Sequence, residues 1–256
     1  MGNTVEINTG KIEGLQIDGL HIFMGIPYAA PPIGEKRWLP PQPLKPWNGL
    51  LEAKTAGPVC PQPPPAIELL RGAVDRDDLK NQKEDCLYLN VWTPGLDNKR
   101  RPAMVWIHGG AFRTGAGSGP VYNGAALARK GNVVVVTINY RLAPYGFLNL
   151  NEITDGKIPA TGNEGLLDQI AALKWVQENI TAFGGNPGNV TIFGESAGGM
   201  SIGASLAMPA AKGLFHKAIP QSGAANTAHT LQEAVLTSEH FLDIRNVSME
   251  MRHRFQ

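Results

Sequence analysis

The chain is poor in cysteine, net charge and long apolar runs, and each shortage removes a class of function. Two cysteines stand among 256 residues, Cys60 and Cys86. That is too few, and too widely spaced, for a cysteine-built metal site or a disulfide-dense scaffold. Lys and Arg number 23 against 22 Asp and Glu, so the formal net charge is +1. Such a balance gives no electrostatic case for nucleic acid or an anionic membrane as partner. No apolar stretch approaches the roughly 18 residues that a membrane-spanning helix needs. Met1-Gly2-Asn3-Thr4-Val5-Glu6 has no basic start leading into an apolar core. The expectation is therefore no signal peptide and a cytoplasmic location. Repeats and low-complexity runs are missing too. What is present, 43% hydrophobic residues, is ample for one large α/β domain or two small ones, and no boundary is visible.

Residues 4–28 alternate apolar and polar around Gly10 and Gly19, which predicts antiparallel hairpin strands. Pro31 to Trp47 is too rich in proline for regular structure, and Pro61 opens a loop reaching Asp85. Strands are predicted at Leu87–Trp92, Met104–Ile107 and Val133–Asn139, the last an unbroken run of the kind buried on both faces. A helix is expected from about Gly124 to Lys130. A second spans Leu166 to Asn179, with Leu166, Leu167, Ile170, Leu173, Trp175 and Val176 at helical spacing. Val190–Phe193 and Ala218–Pro220 complete a pattern of strands alternating with helices. Such a pattern argues a mainly parallel sheet covered on both faces.

Two motifs carry chemistry. Gly194-Glu195-Ser196-Ala197-Gly198 matches G-x-S-x-G, between a short apolar strand and a predicted helix from Gly198 to Met208. A serine offered on so tight a turn has a strained backbone and needs small neighbours, which the two glycines supply. Ser196 is the candidate nucleophile. Upstream, the strand Ala103–Ile107 runs into His108-Gly109-Gly110-Ala111-Phe112. Acyl transfer builds negative charge on a carbonyl oxygen, and backbone N–H groups aimed at it stabilise that charge. The candidate donors are the N–H groups of Gly110, Ala111 and Ala197, with Gly109 shaping the loop. His108 precedes the donors and is read as a loop-shaping residue. Glu195 is read as a supporting carboxylate, not a base. Nothing in the spacing places His21, His216, His229, His240 or His253 beside the serine.

These residues, in this order, resemble the type-B carboxylesterases, and most of all the bacterial para-nitrobenzyl esterase branch. The resemblance also rests on Phe23 to Ala29, Pro31 to Gly34 with Arg37-Trp38, and Glu84 to Val91. Asn139-Tyr140-Arg141, Gly146-Phe147-Leu148 and the block Gly162 to Gly199 extend it. It implies an α/β-hydrolase fold with an N-terminal antiparallel hairpin, residues 1–256 forming the N-terminal part of one such domain. The family order is serine, then an acidic residue, then histidine, the last two far downstream of the serine. The chain stops at Gln256. The expectation is a C-terminally truncated fold that lacks the family's acid and histidine. The truncation is expected to leave an open sheet edge beyond residues 218–220, prone to self-association.

The activity implied is hydrolysis of carboxylic esters through an acyl-enzyme on Ser196, with no metal or organic cofactor. A non-catalytic relic or binding module, as among adhesion relatives of cholinesterases, is the alternative. In secreted members of the family the cysteines matching Cys60 and Cys86 form a disulfide. Free thiols are expected here in a reducing cytosol. The loop between them contains no Trp, Tyr or Phe to face a cation, and its Leu69 and Leu70 give an apolar rim. A small neutral ester is the expected substrate, with Phe112 a candidate pocket residue. Arg37, Glu84 and Arg141 match structural ion-pair positions.

Overall fold

In the computed structural model, residues 3–64, 76–225 and 228–244 are described. The N-terminal hairpin pattern resolves into two hairpins that join different sheets. Strands β1 (Thr4–Ile7) and β2 (Gly10–Glu13) pair antiparallel. With the unforeseen β5 (Leu50–Glu52), which runs parallel to β2, they form a small three-stranded sheet. Strands β3 (Leu15–Ile17) and β4 (Leu20–Pro27) turn at Asp18-Gly19 and form the flank of the main sheet. Glycine suits that corner because both residues have positive φ, 51° and 77°.

The main sheet has seven strands in the order β10-β9-β7-β8-β6-β4-β3. Strands β7 (Arg101–Ile107), β8 (Val134–Ile138), β9 (Gly185–Glu195) and β10 (Lys217–Gln221) pair in parallel. Strand β6 (Tyr88–Thr93) joins them to the antiparallel flank. β9 starts earlier than the apolar run 190–193 suggests. Between Arg101 and Ala103 on β7 the register slips, and the extra residues on β9 include Pro187, a residue tolerated at such irregularities.

Every residue of β8 is buried, as its β-branched run requires. Alternate side chains serve opposite faces. Val134, Val136 and Ile138 join the main core, and Val135 packs with Trp92 and Ala128 behind the sheet. On the main-core side lie α4 (Glu164–Asn179), through Ala172, Leu173 and Val176, and α5 (Ala197–Ala207), through Ile202. Burying each of Leu173, Val176 and Ile202 contributes about 1.5–3 kcal/mol. On the other face α2 (Ala125–Gly131) is seated by Ala128. The short helices α1 (Arg76–Lys80) and α3 (Pro144–Phe147), and the longer α6 (Leu231–Ile244), were not foreseen. Because β7 to β10 run in parallel, their carboxyl ends share one side of the sheet. A crevice outside such strand ends is where open α/β sheets place their chemistry.

Candidate active site

Ser196 stands between the last residue of β9 and the first of α5, at φ 54° and ψ −119°. A non-glycine residue held there costs about 1–3 kcal/mol, so the surroundings must over-determine it. They do. The Ser196 N–H donates to the Gln221 carbonyl at the end of β10, 2.9 Å away. A Cβ on Gly198 would lie 3.0 Å from the His108 carbonyl oxygen and closer still to that of Ile107. A Cβ on Gly109 would lie 3.2 Å from the Ser196 Cβ, which measures how closely the two motifs meet. The spacing read from the sequence therefore corresponds to one place in the fold.

The orientation of the candidate donors follows from what holds the carbonyls before them. No cis peptide bond occurs among the described residues, so each N–H points opposite the carbonyl of its own peptide plane. The Gly109 carbonyl is taken by the His108 imidazole Nδ1, 2.8 Å away. That points the Gly110 N–H away from the imidazole. The Gly110 carbonyl accepts from the N–H groups of Arg113 and Thr114, both at 3.0 Å, which turns the Ala111 N–H away from that turn. The Ser196 carbonyl accepts from the Met200 N–H at 2.9 Å, leaving the Ala197 N–H free at the helix start. None of these three N–H groups donates to a described residue. Ala111 and Phe112 both have positive φ, 54° and 58°.

His108 is fully buried and stacks on Tyr140, with ring centroids 4.4 Å apart, while the Tyr140 hydroxyl donates to the His108 carbonyl at 2.8 Å. Burial pushes its pKa down to about 4. This imidazole is a neutral brace for the loop. His21 is bonded to Asn3 in the N-terminal segment. The His216 Nδ1 accepts from the Val190 N–H. It precedes Lys217, the residue level with Thr191, about 16 Å along the strand from the serine at roughly 3.3 Å per residue. The Ser196 hydroxyl has no hydrogen-bond partner among the described residues. Glu195 lies close enough to Tyr122 to help burial raise that phenol to about 12.

Phe112 packs on Phe147 at 4.8 Å and against the main core. Cys60 and Cys86 are buried free thiols in hydrogen-bond contact, which together with burial holds the Cys86 pKa well above its usual range. Leu69 and Leu70 lie outside the described residues. Arg37 pairs with Glu84 through two bonds of 2.6 and 2.7 Å. Arg141 pairs with Asp168, which the sequence reading did not single out. It also passed over Gln62 and Ala143, both bonded to the loop around Gly110. A separate cleft of about 370 Å³ between α4 and the proline-rich segment contains none of the motif residues.

A strand, a sharp turn with an outward serine, a helix, and a neighbouring glycine loop at the carboxyl ends of parallel strands define the α/β-hydrolase class. The chain belongs to the carboxylesterase family, whose model matches residues 2–248. It is 53% identical over 239 residues to a para-nitrobenzyl esterase of Bacillus subtilis, covering 93% of this chain and 47% of that protein. It is 46% identical over 242 residues to carboxylesterase 1D of Rattus norvegicus, covering 88% of this chain and 40% of the relative. Among solved structures, a thermophilic PNB esterase superposes with a TM-score of 0.88 at 50% identity, over 99% of this chain and 51% of that one. A Geobacillus stearothermophilus carboxylesterase gives 0.85 at 44% identity, over 98% and 53%. The chain thus spans about half the length of the relatives it matches.

Proposed function

We propose that this chain carries the nucleophile and oxyanion hole of a carboxylic ester hydrolase acting on small neutral esters. The observation that supports this reading is that the N–H groups of Gly110, Ala111 and Ala197 donate to no described residue, while Gly109 of the same loop abuts a strained Ser196. The Ser196 Oγ attacks the ester carbonyl carbon and its proton passes to a base. Charge on the former carbonyl oxygen is met by the N–H groups, each worth about 3–4 kcal/mol of barrier. Collapse breaks the bond to the leaving alkoxide, which takes the proton. Water then attacks the acyl-enzyme and releases the acid. Phe112 contributes to the apolar lining in this reading. No residue described here is assigned as the base.

The lack of a described partner for the Ser196 hydroxyl favours a second reading, a binding module that does not turn over. The two part on hydrolysis of para-nitrophenyl acetate and butyrate by the chain and by Ser196→Ala, with circular dichroism showing both folded. A rate lost in Ser196→Ala supports catalysis on the serine. Without the base, the oxyanion hole and binding alone sustain about 10³–10⁴ over water, and Ser196→Ala leaves that rate in place. Equal rates in the two folded proteins overturn catalysis on the serine and leave the binding module.

A further inference from the structure

We infer that Gln62 is a positioning residue for the oxyanion loop, an inference that rests on the reading of that loop given above. Gln62 is 9% exposed, and both polar atoms of its side-chain amide are hydrogen-bonded. Its Oε1 accepts from the Gly115 N–H at 2.7 Å. Its Nε2 donates to the Gly115 carbonyl and to the Cys60 carbonyl, both at 3.0 Å. The amide of Gln62 thereby takes the place of a neighbouring strand and holds both backbone groups of one glycine.

That glycine is the far support of the donor loop. Gly115 has φ 118°, and a Cβ there would collide with the His108 ring. Its backbone lies against the imidazole whose Nδ1 fixes the Gly109 carbonyl, and so the direction of the Gly110 N–H. A second clamp grips the loop from the other side. Ala143, itself at φ 48° and ψ −135°, donates its N–H to the Phe112 carbonyl at 2.7 Å. The two clamps meet at Cys60, whose sulfur accepts from the Leu142 N–H at 3.2 Å and whose carbonyl accepts from Gln62. Two left-handed residues, Ala111 and Phe112, are thus held between fixed ends. Releasing one end lets the N–H groups swing away from where charge develops.

The test compares Gln62→Met, which keeps the length and removes the bonds, with Gln62→Ala and the unchanged chain. Amide hydrogen exchange is followed together with para-nitrophenyl butyrate kinetics. Faster exchange is expected at Arg113, Thr114 and Ala143 as well as Gly115, with α4 unchanged. The Ser196-dependent kcat falls by up to about 10²-fold with KM little altered, because a small misplacement of catalytic groups is felt in the transition state. Faster exchange at Gly115 alone, or a raised KM at constant kcat, overturns the inference. If the unchanged chain shows no Ser196-dependent rate, the functional reading fails and the exchange pattern alone decides the role of Gln62. Should Gln62→Ala not fold, Gln62→Met carries the same comparison.

Discussion

His108 shows how a residue of catalytic type serves structure. A buried neutral imidazole makes stability depend on acid in a stated direction. Its folded pKa is about 4 against a free value of 6.5, burial being the cause. Below pH 6.5 the unfolded chain takes up a proton that the folded chain refuses until about pH 4. Its contribution is therefore whole above pH 6.5 and lost as the pH falls to about 4, a change of about 3 kcal/mol. Urea midpoints should fall across that window. The ring Hε1 resonance of His108 should hold its neutral position down to about pH 4. A resonance that titrates near 6.5 would remove the histidine from this role. The bond from the imidazole to Gly109 and the stacking on Tyr140 are the contacts at stake.

At the scale of elements, what could be read in advance was what depends on neighbours in sequence. Gly194 and Gly198 mark the elbow in the sequence because Gly194 faces Gly198 across the turn, although both also abut the Ile107 carbonyl of β7, and the apolar run of β8 encodes its own burial. Long-range pairings left no such trace. β5 is three residues long and owes its place to β2, some forty residues earlier by the register Lys11 to Leu50. Gln62 is an isolated glutamine whose meaning comes from Gly115, and Asp168 lies inside a helix that its apolar spacing alone predicts. The Arg141–Asp168 pair belongs to this scale, since it fixes α4 to the segment following β8. Asp168 is fully buried and accepts from the Arg141 amide, Nε and Nη2 at 3.0, 2.8 and 2.8 Å. Asp168→Ala strands a guanidinium and should cost about 3–5 kcal/mol. Arg141→Met with Asp168→Leu strands no charge and should cost less than the single change. Equal losses in the two, measured by urea unfolding, would show that packing rather than the stranded charge sets the cost.

Over the whole molecule, the main sheet has an edge strand at each end. Among the described residues β3 and β10 each pair on one side only, and the residues of β10 are mostly exposed. Ile219 is 44% exposed and stands level with Phe193 of β9, which packs on Trp106 at 5.0 Å. Leu206 on α5 is 62% exposed, and Leu231, Leu236 and Ile244 on α6 are exposed by 57–65%. Lys217 and Pro220 lie within β10, a charge and a missing N–H of the kind that blunts an edge strand. Ladder formation with another strand is thereby weakened, and the apolar side chains are left as the main drive to associate. The chain is expected to self-associate as its concentration rises. Ile219→Lys, which puts a second cation among these groups, should shift the population toward monomer without lowering the urea midpoint. Sedimentation velocity over a concentration series decides it. A single monomeric species at all concentrations in the unchanged chain would show that the exposed isoleucine and its neighbours do not drive contact. Association unaltered by Ile219→Lys would move the contact off β10 and toward the apolar face of α6.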